Sequence, residues 1–162
     1  MIAPRGRLRL ATAGDVPVLA TLMGEFYAEG GYPLPSAQAA RTFERLLAAP
    51  DRGLVWLMVH EGQPAGFVVL TVSFSMEFGG LRGFVDDLFV APAFRRRGLA
   101  SEALEVLKEA CHTRGVRALL VETSLDNDLA VRVYRRAGFA ENGRLLLTQA
   151  LAAPVHERDD HG

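Results

Sequence analysis

The sequence predicts one mixed α/β domain, an α+β mixed sheet with helices on both faces. Three observations predict it. Strand-like and helical hydrophobic periods follow in the order β-α-α-β-β-β-α-β-α-β. Clusters of glycine and proline separate those segments at short intervals. From Gly83 to Thr123 the chain reads strand, glycine turn, amphipathic helix, apolar strand, the pattern of a right-handed parallel crossover.

Each element has its own signal. Arg7 to Ala11 alternates basic and apolar residues, as a first strand does. Thr12 to Asp15 offers helix-start chemistry, with Pro17 tolerated in the first turn. Val18, Leu19, Leu22, Met23 and Phe26 then recur at helical spacing until Gly30 and Gly31. Ser36 is the expected N-cap of a second helix, whose buried stripe holds Phe43, Leu46 and Leu47. Leu54 to His60 and Ala65 to Phe74 read as strands joined by the hairpin turn Glu61-Gly62-Gln63-Pro64. Gly79 and Gly80 mark the turn before a strand over Gly83 to Val90.

Ala100, Ala103, Leu104, Leu107, Ala110 and Cys111 share one face of the next helix, which Gly115 ends. Val116 to Thr123 is nearly continuously apolar and predicts a central strand buried on both faces. Asn127 to Ala137 is a short helix closed by Gly138. Leu145 to Leu151 predicts a last strand, and 152–162 reads as a disordered tail beyond a domain over 1–151.

Composition narrows the function. The chain has 162 residues, 49% of them hydrophobic, enough for a real core. Its formal charge is 18 − 19 = −1, which gives no bulk electrostatic case for nucleic acid or membrane. Cys111 is the one cysteine, which excludes an intramolecular disulfide and fits a reducing cytoplasm. Its place on an apolar helix face favours a buried inert thiol over a nucleophile. No secretion signal is expected, and no apolar run approaches a membrane span. The four histidines have no metal-ligand spacing, so no metal site is expected.

The chemistry concentrates where the strand ending at Val90 turns into the next helix. Ala91-Pro92-Ala93-Phe94 is followed by Arg95-Arg96-Arg97-Gly98-Leu99-Ala100-Ser101. Backbone N–H groups and the positive end of a helix dipole meet there, a corner that suits a phosphate or pyrophosphate. Gly98 admits a close ligand, and the three arginines attract anions.

These residues resemble the GNAT superfamily of acetyl-coenzyme A (acetyl-CoA)-dependent N-acetyltransferases. Arg95-Arg96-Arg97-Gly98-Leu99-Ala100 matches its Arg/Gln-x-x-Gly-x-Gly/Ala signature. Asn127, Ala130, Tyr134, Gly138 and Phe139 match a second signature in register. The resemblance implies a split between two parallel strands, with the pantetheine arm of acetyl-CoA along Leu88, Phe89 and Val90. It implies a pyrophosphate held by Arg95, Arg96, Arg97, Gly98, Leu99, Ala100 and Ser101. Asn127 would meet the pantetheine, although a plain helix N-cap also explains it. Tyr134 would protonate the leaving thiolate, whose conjugate acid lies near 8.5, and a packing tyrosine is the alternative.

The acceptor amine must lose a proton before it attacks. Asp86 and Asp87 are the base candidates, and strand alternation lets one of them face the cleft unless a bulge intervenes. Similarity to polyamine acetyltransferases favours Asp86, and Glu122 is a weaker candidate. The resemblance implies that Phe26, Tyr27, Glu29, Tyr32 and Pro33 line the acceptor pocket with Ser75 and Glu77, aromatics and carboxylates that suit a cation; tyrosines covering the core and loop carboxylates in water explain them equally well. No residue is placed as a covalent acyl carrier, so transfer is expected to be direct, to a small-molecule or peptide amine. The alternative is a non-catalytic acyl-CoA sensor on the same fold. A last strand such as Leu145 to Leu151 supports dimers in this superfamily, so a homodimer is a further expectation.

Overall fold

The computed structural model describes residues 6–152. Its elements are β1 (Leu8–Leu10), α1 (Val16–Glu29), α2 (Ser36–Leu47), β2 (Gly53–His60), β3 (Gln63–Ser75) and β4 (Gly80–Val90). After these come α3 (Leu99–Thr113), β5 (Leu119–Val121) and α4 (Asp128–Arg136). Single 3₁₀ turns at Ala13–Asp15 and Pro92–Phe94 lead toward α1 and α3.

The five strands form one sheet in the order β1-β2-β3-β4-β5. Neighbours are antiparallel except β4 and β5, which run parallel. The β2–β3 turn uses Glu61 at φ 50° and Gly62 at φ 76°, the doubly left-handed turn whose twist matches a two-residue hairpin.

Alternation along the central strands fills two cores. Val55 and Leu57 of β2 join Phe67, Val69 and Phe89 under α1 and α2. Trp56, Met58, Val68 and Leu70 point the other way, against Leu104 and Leu107 of α3. The α3 stripe expected from sequence is buried at Ala103, Leu104, Leu107, Ala110 and Cys111. The entry to α1 is fixed by Asp15, which accepts from the Thr12 N–H at 2.7 Å and takes both Arg9 Nη atoms at 2.8 Å. That bonding holds the Asp15 carboxyl down at about 2.

Three expectations need correction. Val116 to Thr123 is not a central strand: β5 covers three residues at the sheet edge, and all three are half-buried. Its apolar run reflects cover from helices, since Leu119, Val121 and Val116 all join the α3 cluster. Leu145 to Leu151 forms no strand among the described residues. A strand needs a backbone partner as well as apolar side chains, and Leu145, Leu146, Leu147 and Leu151 are all exposed here. Ser36 does not cap α2; Pro35 occupies that position and Ser36 begins the helix. The tail expected over 152–162 lies, past Ala152, outside the described residues.

Candidate active site

The site begins with an interruption in β4. Val69 pairs with Asp87 and Leu70 with Val85, so Asp86 is the extra residue of a β-bulge. On the opposite edge, β5 pairs with Gly83, Phe84 and Val85 and then ends at Val121. The parallel strands part there, leaving residues 86–90 with a free edge.

The bulge changes which aspartate is enclosed. Asp87 is half-buried and receives the Tyr27 hydroxyl at 3.5 Å, long for an O–H···O bond. Burial and the neighbouring charge of Asp86 push the Asp87 carboxyl up to about 7, against the Tyr27 bond, which favours ionisation. Burial also raises Asp86, but that residue as a whole remains exposed. Burial and the charge of Asp87 raise the Tyr134 hydroxyl from across the split, and burial together with both aspartates raises Tyr27. Asp87 is thus the acidic group shared by α1, β4 and α4, whereas the sequence reading favoured Asp86. Glu122, the weaker base candidate, is exposed.

Tyr27 stands on α1 because the helix continues to Glu29 before Gly30 and Gly31 stop it. The Tyr32 N–H then donates to the Tyr27 carbonyl at 2.8 Å, folding the next loop back over the helix end. The two tyrosine rings meet edge to face at 6.5 Å. Phe26 instead packs inward, 5.3 Å from Phe89 and 6.4 Å from Phe67, so it supports the site from the core. Tyr134 is half-buried on α4, its ring 5.7 Å from that of Phe139. Asn127 caps α4, its side-chain oxygen accepting from the Ala130 N–H at 3.2 Å.

The loop after β4 curls tightly. Arg96 has φ 62° and Gly98 φ 77°, so alternating left-handed residues turn the backbone into the start of α3. Gly98 is exposed, and a Cβ there would meet only Arg7 Nη2 at 3.8 Å. Leu99 is buried and locks the helix start into the core, while Ser101 stays exposed. On the preceding strand, Phe89 is buried and Leu88 and Val90 are half-buried. Close β3–β4 approach depends on Gly66, where a Cβ would strike the Phe89 carbonyl.

The arginines divide their work unevenly. Arg95 donates from Nε to the Val90 carbonyl at 2.9 Å and from Nη2 to both Glu29 oxygens at 2.8 and 2.6 Å. Its head is therefore committed to α1. Sequence reasoning missed Arg7, which donates to the Arg97 carbonyl at 2.8 Å and pairs with Glu102 at 2.9 Å, bracing the loop. Only the fold joins partners 90 and 95 positions apart.

Ser75 and Glu77 do not gather with Tyr27. Ser75 lies six residues along β3 from Val69, the partner of Asp87, or roughly 20 Å at strand spacing. It is buried, with its Oγ accepting from the Phe78 N–H at 3.4 Å in the β3–β4 hairpin. Glu77 is held by Arg144 at 2.6 and 2.9 Å. Hairpin formation and segment anchoring account for both. Among the described residues, no three metal-binding side chains cluster, and no helix is long and apolar enough to cross a membrane.

Comparison with known proteins meets this geometry. The model of the acetyltransferase (GNAT) family matches residues 19–139, which take in most of α1, the split, the curled loop and α4. The chain belongs to the GNAT acetyltransferase family. A solved integron cassette protein from the mobile metagenome of the Cole Harbour salt marsh is 54% identical, with a TM-score of 0.86 over 93% of this chain and 94% of that one. The aminoglycoside N-acetyltransferase AAC(6')-Iy, solved with a bisubstrate analogue, shares the GNAT fold at 20% identity, with a TM-score of 0.76 over 90% and 97% of the two chains. Aminoglycoside N(6')-acetyltransferase type 1 of Salmonella typhimurium is 30% identical over 39% of this chain. N-alpha-acetyltransferase 30 of Schizosaccharomyces pombe is 31% identical over 40%. The match spans 43% of the length of each of these two curated relatives.

Proposed function

We propose that this GNAT protein moves an acetyl group from acetyl-CoA directly to a primary amine of a small-molecule or peptide acceptor. The observation that carries the reading is the enclosed Asp87 at the parting of β4 and β5, which receives the Tyr27 hydroxyl at 3.5 Å and whose charge raises the Tyr134 phenol. A group that titrates near neutrality beside a weaker acid suits a reaction that removes one proton and supplies another.

The coenzyme fits the groups present. The left-handed Arg96 and Gly98 and the first turn of α3 offer backbone N–H groups to a pyrophosphate, in open space above Gly98. The free edge of residues 86–90 suits the amides of a pantetheine arm. The Asn127 cap leaves its side-chain amide as a donor on the α4 side.

The chemistry then balances. Asp87 takes a proton from the acceptor ammonium, and the freed nitrogen lone pair forms a bond to the thioester carbonyl carbon. A backbone N–H near Leu88 donates to the carbonyl oxygen as charge builds there. The carbon–sulfur bond breaks and the Tyr134 hydroxyl gives its proton to the sulfur; as the amide forms, the attacking nitrogen loses its second proton to the Tyr134 phenolate, and Asp87 releases the first to solvent. The products are the N-acetyl amine and free coenzyme A. Asp86, on the exposed side of the bulge, attracts the cation.

The test is a thiol-release screen of primary amines with acetyl-CoA, spanning aminoglycosides, polyamines, amino acids and peptides. Products are identified by mass. An acetylated amine formed in step with free thiol is the expected result. Tight coenzyme binding with no thiol released for any amine would reverse the reading in favour of a sensor.

We also propose that two copies associate through the segment after α4. Leu145, Leu146, Leu147 and Leu151 are 83%, 63%, 82% and 92% exposed, and β5 presents an outer edge that no described strand covers. Consecutive exposed leucines and an open strand edge support a β-pairing partner.

A further inference from the structure

We propose that Arg95 is a positioning residue: with Glu29 it latches the end of α1 to the end of β4 and so holds the acceptor side of the site in register. The inference rests on the acetyltransferase reading and assigns Arg95 a task other than pyrophosphate binding.

Three directed contacts fix the guanidinium. Nε donates to the Val90 carbonyl, the last residue of β4, at 2.9 Å. Nη2 takes both oxygens of Glu29, the last residue of α1, at 2.8 and 2.6 Å. The guanidinium carbon also lies 5.9 Å from the Phe89 ring centroid. Arg95 itself ends the 3₁₀ turn that feeds the curled loop. One side chain therefore ties three pieces of the site: the acceptor helix, the enclosed strand and the phosphate-side loop.

What the latch positions is near at hand. Glu29 is two residues beyond Tyr27, whose hydroxyl meets Asp87, and Tyr32 folds back onto the Tyr27 carbonyl. If the helix end frayed at Glu29, Tyr27 would withdraw from Asp87 and the loop carrying Tyr32 would loosen. Glu29 is also neutralised by Arg95, which leaves Asp86 and Asp87 as the carboxylates that meet an incoming cation. A planar fork is required for this arrangement. Lysine carries the same charge but cannot serve the Val90 carbonyl and Glu29 from one rigid group.

The test compares Arg95→Met, Arg95→Lys, Glu29→Gln and the Arg95→Met/Glu29→Gln double variant. Coenzyme A affinity is read by calorimetry, and acceptor KM and kcat by thiol release. Hydrogen exchange of the amides over 27–34 is read by mass spectrometry. A latch predicts a two- to fivefold rise in acceptor KM and in exchange in each variant, about what an exposed ion pair supplies, with coenzyme affinity retained. Arg95→Lys should behave like Arg95→Met, and the double variant should be no worse than either single one. Weakened coenzyme affinity in Arg95→Met, rescued by Lys while Glu29→Gln is silent, would make Arg95 an anion-binding residue and overturn the latch. Unchanged exchange in all variants would overturn it equally. Hydrogen exchange needs no turnover, so a wild-type protein inactive on every amine would defeat the acetyltransferase reading and still leave the latch measurable.

Discussion

Asp87 and Tyr134 are the two groups whose protons the proposed reaction moves. A carboxyl raised to about 7 in the folded protein, against 3.8 when free, holds a proton in the fold that the unfolded chain has released. Its ionisation therefore works against folding: the penalty is absent below 3.8, grows through that interval and is complete above 7. Asp87→Asn should raise the melting temperature above pH 7 and leave it nearly unchanged below 3.8, as thermal scans at the two extremes would show. Tyr134→Phe should keep coenzyme affinity and lower kcat about ten- to a thousandfold, because the hydroxyl acts only as charge develops on sulfur. Full turnover in that variant would reduce Tyr134 to the packing partner that its ring contact with Phe139 already makes it. Sequence alone showed both aspartates and favoured Asp86, whereas the bulge encloses Asp87. Strand alternation is a local rule, and the bulge that overrides it arises from pairing with Val69 and Leu70, which are 18 and 15 positions away.

The elements that build the site are a strand that loses its neighbour and a loop that curls into a helix. Gly98 is the hinge of the second: its φ of 77° and open surroundings admit a side chain with moderate strain. Gly98→Asp should fold, as circular dichroism will show, and bind coenzyme A at least about tenfold more weakly, since the carboxylate would stand where an anion is expected. Unchanged affinity in the folded variant would remove the pyrophosphate from this loop. The loop and α3 were legible because glycine placement and a helical stripe are local signals. The length of β5 was not. Leu119 to Val121 read as the middle of a sheet because helix cover and strand cover both demand apolar side chains. The commitment of Arg95 to Glu29, 66 positions away, left no trace in the sequence either.

At the scale of the molecule, a five-stranded sheet is covered on both faces, and among the described residues the outer edge of β5 is unpaired and the leucines after α4 are exposed. Light scattering should find a dimer for the wild-type chain, and Leu145→Lys/Leu147→Lys should shift it to monomer with the α1–α3 core intact. A monomeric wild-type chain would end that proposal and leave the site unaffected. The family and the crossover were legible in the sequence because both signatures sit within continuous segments. The acceptor pocket was less so, because Ser75 and Glu77 serve the far hairpin, away from Tyr27 and its bond to Asp87. The proposed chemistry rests on Asp87, enclosed where β4 and β5 part, as the group that deprotonates the amine for direct transfer. Its most direct measurement is kcat/KM against pH for the wild type, Asp87→Asn and Asp86→Asn on one accepted amine. The wild-type profile should show a rising limb that bends near 7, with a loss of about a hundredfold or more and that limb abolished in Asp87→Asn, and a smaller loss with the limb retained in Asp86→Asn. A limb that survives in Asp87→Asn and disappears in Asp86→Asn would contradict the role of Asp87.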